Sequence, residues 1–177
     1  MCEPVHEVVG EVLLHRRSVR SYQPDSIDNE VLSGILECTR QAPSAANRQP
    51  WHFVVVRDPA HRRAVAEACN DQMWIADAGA VVVAIGLPAV SERWYRVDVA
   101  IALENLVIAA ASRGLGTCWI GAFDEARVKQ AVGAPDEVKV VAVTPVGVPK
   151  GDWPAPRQRK DFGQVFSSDT YGQPLKL

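Results

Sequence analysis

Ala42-Pro43-Ser44-Ala45-Ala46-Asn47-Arg48-Gln49-Pro50-Trp51 separates two segments whose apolar residues follow different periods. Upstream, Val31, Leu32, Ile35 and Leu36 recur at helical spacing behind Asp28, whose short carboxylate suits an N-cap, and the pattern stops near Pro43. Downstream, His52 to Arg57 is a β-rich run bounded by Pro50 and Pro59. The stretch between them is small and polar, is closed by prolines, and offers Ser44 and Asn47 as hydrogen-bonding groups beside Trp51. Taken alone, it is equally an ordinary helix-to-strand connection.

Working outward, Val5, Val8, Val9, Val12 and Leu13 fall on one face of a helix predicted over 5–15, which the basic cluster Arg16-Arg17-Ser18-Val19-Arg20 closes. Ala60 to Cys69 reads as a helix and Ala80 to Ile85 as a fully buried strand. Arg96 to Arg113 is apolar nearly all round, interrupted by Asp98, Glu104, Asn105 and Ser112, and is expected to be buried on every side, at a centre or an interface. A short strand over Cys118–Gly121, a helix over Glu125–Val132 and a long β-branched strand over Val138–Val148, with Pro145 near its end, complete an α/β or α+β core. After Pro149 the pattern gives way to a Gly- and Pro-punctuated polar tail. Its anchors Trp153, Phe162, Val165, Phe166 and Tyr171 suit a C-terminal extension, 150–177, that embraces a second copy of the chain. With no repeat or linker in 177 residues, residues 1–177 are expected to form a single domain.

Composition narrows the function. The 19 Lys and Arg are nearly matched by 21 Asp and Glu, which argues against a nucleic-acid or membrane-surface partner. Cys2, Cys38, Cys69 and Cys118 are far apart, so neither a zinc spacing nor a redox dithiol is encoded, and mostly buried free thiols suit a reducing cytoplasm. No signal-peptide pattern opens the sequence, and the longest apolar run, Ala78 to Val90, is broken by Gly79, Gly86 and Pro88. A cytoplasmic location is the expectation.

The search for catalytic motifs returns little. G-x-S-x-G, H-E-x-x-H, Walker A and a post-strand G-x-G-x-x-G are absent, and His6, His15, His52 and His61 are scattered. Gly114-Leu115-Gly116 follows a helix and suits its C-terminal cap. Two basic groups carry more: Arg16, Arg17 and Arg20 around Ser18, and Arg157-Gln158-Arg159-Lys160 near the end, both suited to bidentate contacts with a phosphate. Charge runs are also commonly just solvated surface.

Four motifs in register resolve this: R-R-S-V-R at 16–20, A-P-S-A-A-N-R-Q-P-W at 42–51, G-L-G-T-C-W-I-G-A-F at 114–123 and R-Q-R at 157–159. Together the sequence resembles the nitroreductase family across almost its whole length. The resemblance implies an α+β fold with a central, mostly antiparallel sheet flanked by helices, and a homodimer with exchanged tails and one FMN in each of two inter-subunit clefts. By motif, Arg16, Arg17, Ser18 and Arg20 would hold the FMN phosphate, ribityl chain and pyrimidine edge, with Arg157 and Arg159 as a second phosphate contact. Pro43, Ser44, Ala45 and Asn47 would reach the flavin from the partner subunit, and a backbone N–H of Trp119, Ile120 or Gly121 would approach N5 and O4. Gly121 stands where the family often has an acid.

FMN carries hydride chemistry without a side-chain acid, in keeping with the empty motif search, and NADH or NADPH would be the donor. The short segment between Ile85 and Asp98 implies an open pocket, with Trp94 and Tyr95 as its aromatic wall; Met73-Trp74 is a further candidate that core packing equally explains. The implied activity is transfer of reducing equivalents to a small electrophilic acceptor, such as a nitroaromatic or quinone, by a ping-pong mechanism. The alternatives are a flavin-breaking or reductive-dehalogenating relative of the same fold and a non-catalytic FMN-binding protein. The deiodinase-type Glu, Tyr and Lys lid is not found here.

Overall fold

The computed structural model describes residues 5 to 176, with side chains from Val9 onward. Val5 and Val8, expected on one face of the first helix, and Cys2 therefore lie outside the described side chains. Helix α1 spans Val5–His15 and α2 spans Asn29–Arg40. Asp28 caps α2 as its side chain suggests, accepting the Glu30 backbone N–H at 2.8 Å. The connection after Pro43 makes one 3₁₀ turn, Ala45–Asn47, and enters strand β1, Trp51–Val56. Helix α3 (Pro59–Ala68) starts on Asp58 and a proline at its first position, where the missing N–H costs nothing. Strand β2 (Ala80–Gly86), helix α4 (Tyr95–Ala111), strand β3 (Gly116–Thr117), helix α5 (Glu125–Val132) and strand β4 (Lys139–Gly147) follow, then a short tail helix α6 (Phe162–Val165).

The four strands form one antiparallel sheet in the order β1-β2-β4-β3. The expected α+β architecture is what the chain adopts. All seven residues of β2 are buried, because the sheet is covered on both faces. Ala80, Val82 and Ala84 alternate into the layer shared with α2 and α4, and Val81, Val83 and Ile85 into the layer shared with α3 and α5.

Two expectations need correcting. The strand expected over Cys118–Gly121 is instead Gly116–Thr117, followed by a lone bridge between Ile120 and Val143. Val143 donates its N–H to Ile120 across this seam, and the alternation of an antiparallel ladder turns Pro145 toward the same side. Proline has no N–H to give, so the ladder lapses between Thr117 and Ile120. Helix α4 is not buried on every side. Val99, Leu103, Leu106 and Val107 are sealed against the sheet and α2, whereas Val97 and Ile101 stay 46% and 38% exposed, since among the described residues of the chain none covers that flank. Helix α1 likewise leaves Val9, Leu13 and Leu14 exposed. Of the three cysteines described, Cys69 and Cys118 are buried and Cys38 is exposed.

Candidate functional site

The segment after α1 is laid along the end of the sheet. Ser18 bridges Thr117 of β3 in parallel, Val19 donates its N–H to the Thr117 carbonyl at 2.9 Å, and Tyr22 bridges Pro149. Val19 and Tyr22 are buried, and the Tyr22 hydroxyl donates to the Val19 carbonyl at 2.8 Å. Val19 lies so close to β3 that a Cβ on Gly116 would fall 2.7 Å from its side chain. Glycine is thus required for this approach, a role that the helix-capping expectation for Gly114-Leu115-Gly116 did not include. Gly114 itself has the left-handed φ of +72° that follows a helix end.

The tail returns to the same place. Lys150 donates its N–H to the Ser21 carbonyl at 3.0 Å, and the Trp153 indole N–H donates to the His15 carbonyl at 2.7 Å. Between the two segments lies a cavity of about 450 Å³ lined by Arg16, Arg17, Ser18, Arg20, Pro154, Ala155, Pro156, Arg157 and Arg159. Both basic groups therefore face one space, although they are separated by well over a hundred residues in sequence. Pro154 to Pro156 line it unannounced by any chemical motif, because they contribute shape and rigidity rather than charge.

Five guanidiniums around one cavity is a strongly cationic arrangement. Among the described residues, the one carboxylate within 4.0 Å of them is Glu104, whose Oε1 stands at that distance from Arg16 Nε. Glu104 Oε2 also accepts the Trp119 indole N–H at 3.1 Å, tying the 119–121 segment to the arginine loop. Sequence reasoning took Glu104 only as an interruption of an apolar helix. The neighbouring Cys118 thiol is pushed up by burial and partly drawn back by Arg20, by a hydrogen bond with Ser18 and by Arg16, which shows that the positive field reaches the start of this segment. Trp119 is partly exposed, Ile120 is buried, and Gly121 has open space where a Cβ would stand.

The remaining sequence candidates sit elsewhere. Pro43, Ser44, Ala45 and Asn47 do not line the arginine cavity. Their loop is held near the first turn of α4 by a 3.1 Å hydrogen bond from the Ala45 N–H to Asp98. The segment between β2 and α4 starts beside it, Leu87 donating its N–H to the Pro50 carbonyl at 3.0 Å. Of the proposed aromatic wall, Trp94 is 43% exposed, while Tyr95 is buried with its ring against Gly86. Trp74 stacks on Tyr22 with ring centroids 6.3 Å apart and serves packing. Among the described residues there is no cluster of three potential metal ligands and no helix long and apolar enough to cross a membrane.

The family model described as "Nitroreductase family" matches residues 13–88 and 76–148. The chain belongs to the nitroreductase family. A Thermus thermophilus relative named NADH dehydrogenase is 31% identical over 173 residues, spanning 77% of this chain and 84% of that protein. A Rhodospirillum rubrum relative named 5,6-dimethylbenzimidazole synthase is 31% identical over 172 residues, spanning 80% and 82%. A solved nitroreductase family protein from Clostridium novyi NT is 32% identical and superposes with a TM-score of 0.77, covering 94% of this chain and 96% of that one. As a nitroreductase family member the chain is an oxidoreductase, and its arginine-lined cavity is the part of the fold suited to an anionic ligand.

Proposed function

We propose that the protein works as a homodimeric FMN-dependent oxidoreductase, passing reducing equivalents from NADH or NADPH to a small electrophilic acceptor such as a nitroaromatic or a quinone. The observation that carries this reading is the cavity shared by Arg16, Arg17, Ser18, Arg20, Arg157 and Arg159. A terminal phosphate is small, doubly charged and rich in acceptors, and a ring of guanidinium forks suits it. FMN ends in such a phosphate, whereas an FAD would need room and contacts for an adenosine half.

When bound, the flavin would supply the hydride chemistry, so the chain's work is to bind it, orient it and leave one face open. The Ile120 N–H is spent on the Val143 carbonyl at 2.9 Å, so the backbone N–H groups of Trp119 or Gly121 would be the ones to stabilise negative charge at the flavin N5 and O4 edge, with no side-chain acid needed. The loop Pro43, Ser44, Ala45 and Asn47, which takes no part in the cavity lining of its own chain, would meet the flavin of a partner subunit. Dimer formation is supported by the apolar flank Val97 and Ile101 of α4, by Val9, Leu13 and Leu14 of α1, and by the exposed Phe162, Val165 and Phe166 of the tail. Residues 1–177 would act as one domain, with 150–177 as the embracing extension.

The test is purification followed by kinetics. The protein should purify yellow, release FMN rather than FAD, sediment as a dimer and give parallel double-reciprocal lines for donor and acceptor. Arg20→Ala removes charge-assisted hydrogen bonds of about 1.5–3 kcal/mol, equivalent to a loss of about tenfold to hundredfold in FMN affinity, with activity returning in excess FMN. Colourless protein that takes up no FMN overturns the proposal. The relative named 5,6-dimethylbenzimidazole synthase supplies a second reading, and oxygen consumption with loss of the flavin chromophore would select it.

A further inference from the structure

The residues between Ser44 and Pro50 adopt a conformation that their own chemistry does not favour. Ala46, Asn47 and Gln49 have φ values of 50°, 53° and 50°, in the left-handed region, without a glycine among them. For residues with a Cβ this conformation is disfavoured by about 1–2 kcal/mol each, less for asparagine. The loop is partly braced by itself: Gln49 donates its N–H to Ser44 Oγ at 2.9 Å and Asn47 its N–H to the Ser44 carbonyl at 2.9 Å. Its side-chain anchor in the body is Asp98, whose Oδ1 accepts the Ala45 N–H at 3.1 Å across 53 residues of sequence.

Asp98 is itself anomalous. It is 2% exposed, in the first turn of an otherwise apolar stretch of α4, and among the described residues it has no cation within 4.0 Å and no hydrogen bond to Oδ2. A buried carboxylate held by a single hydrogen bond is a net cost to folding, and an apolar side chain of similar shape would serve the core better. Packing therefore does not account for it, whereas its one contact does.

We propose that Asp98 is a positioning residue: acting through the Ala45 N–H, it fixes the strained Ser44–Asn47 turn in the form with which that loop lines the flavin site. This rests on the flavin reading above and assigns the loop's geometry to a residue outside every motif in the sequence. Asp98 touches neither cofactor nor substrate; it sets where Ser44, Ala45 and Asn47 stand.

The experiment titrates FMN into apo-protein prepared from wild type, Asp98→Ala, Asp98→Asn and Ala45→Pro, and follows hydrogen exchange at the Ala45 amide and thermal melting of each apo form. Proline fits the Ala45 position from the backbone before it, since Ser44 is extended at φ −142° and ψ 158°, and it deletes the donor while leaving Asp98 intact. Asp98→Ala and Ala45→Pro are each expected to weaken FMN binding about tenfold to hundredfold. Asp98→Asn, whose amide oxygen still accepts from Ala45, should stay within about threefold of wild type by the same reasoning. The Ala45 amide should be protected in wild type and Asp98→Asn and lose that protection in Asp98→Ala, whose apo form should melt no lower than wild type. Unchanged FMN affinity in both Asp98→Ala and Ala45→Pro overturns the inference, as does Asp98→Asn binding as weakly as Asp98→Ala. Wild type that takes up no FMN at all overturns the flavin reading and this inference with it, so the two failures are distinguishable.

Discussion

Replacing Gly116 by alanine adds one methyl group at the point where the arginine loop meets the sheet. The new Cβ falls 2.7 Å from Val19 Cβ and Cγ2 and 2.9 Å from Cγ1. Carbon atoms rest at about 3.5–4.0 Å, so Val19 must retreat by about 1 Å. It has no free space to do so, being 2% exposed and tied by its own N–H to Thr117. Overpacking of this kind costs about 1–3 kcal/mol. For a chain of this length each kcal/mol lowers Tm by about 2–4 °C, which gives a fall of about 2–12 °C. The retreat carries Ser18 and Arg20 with it, and loss of one charge-assisted bond to the phosphate corresponds to about tenfold to hundredfold weaker FMN binding. Calorimetric melting and isothermal titration with FMN measure both effects. A Gly116→Ala protein that melts and binds FMN like wild type would refute the claim that the close approach of Val19 positions the arginines.

Truncation after Lys150 should lower the FMN content of the purified protein and loosen the dimer, because Pro154 to Arg159 leave the cavity wall; unchanged flavin content by absorbance argues against the tail's role. In unfolding-free thiol labelling at pH 8, Cys38 should react while Cys69, whose thiol burial pushes up to about 12, and Cys118, also raised by burial, stay unmodified by mass spectrometry. Glu37 is held at about 2, from an ordinary value of 4.5, first by hydrogen bonds from Arg40 and then from Gln41. A depressed carboxylate stabilises the fold above its unfolded value and loses that contribution as pH falls through the folded one. The difference in Tm between wild type and Glu37→Gln should therefore be constant above about pH 5 and shrink between 4.5 and 2.

The elements with strong local signals were legible in the sequence: α5 coincides with Glu125–Val132, and β2 with Ala80–Ile85 to within one residue. Periodicity reports how many faces of an element are apolar, not what covers them. That is why α4 reads as buried all round when Val97 and Ile101 are open within the chain. The interruption of β3 depended on Pro145 lying opposite in the sheet, a pairing that neither strand reveals by itself. The arginines that line the cavity stand out in the sequence because their charge is a local signal. The contacts of Gly116 with Val19, Glu104 with Trp119 and Asp98 with Ala45 were not legible, since each pair is distant in sequence. The left-handed turn at Ala46, Asn47 and Gln49 also escaped notice, as none of these positions holds the glycine that would have announced it.

The arginine cavity is also a seam, for one of its walls belongs to the tail and the other to the body. With the space empty of anions, like charges face each other across the seam and favour its opening; a phosphate placed there reverses the sign of the interaction. Closure of the seam is thus thermodynamically linked to anion activity, and multivalent oxyanions should act on it as ligands rather than as screening salt. Protease sensitivity of the bonds near Trp153 should accordingly fall with added inorganic phosphate at concentrations where an equal ionic strength of chloride has little effect.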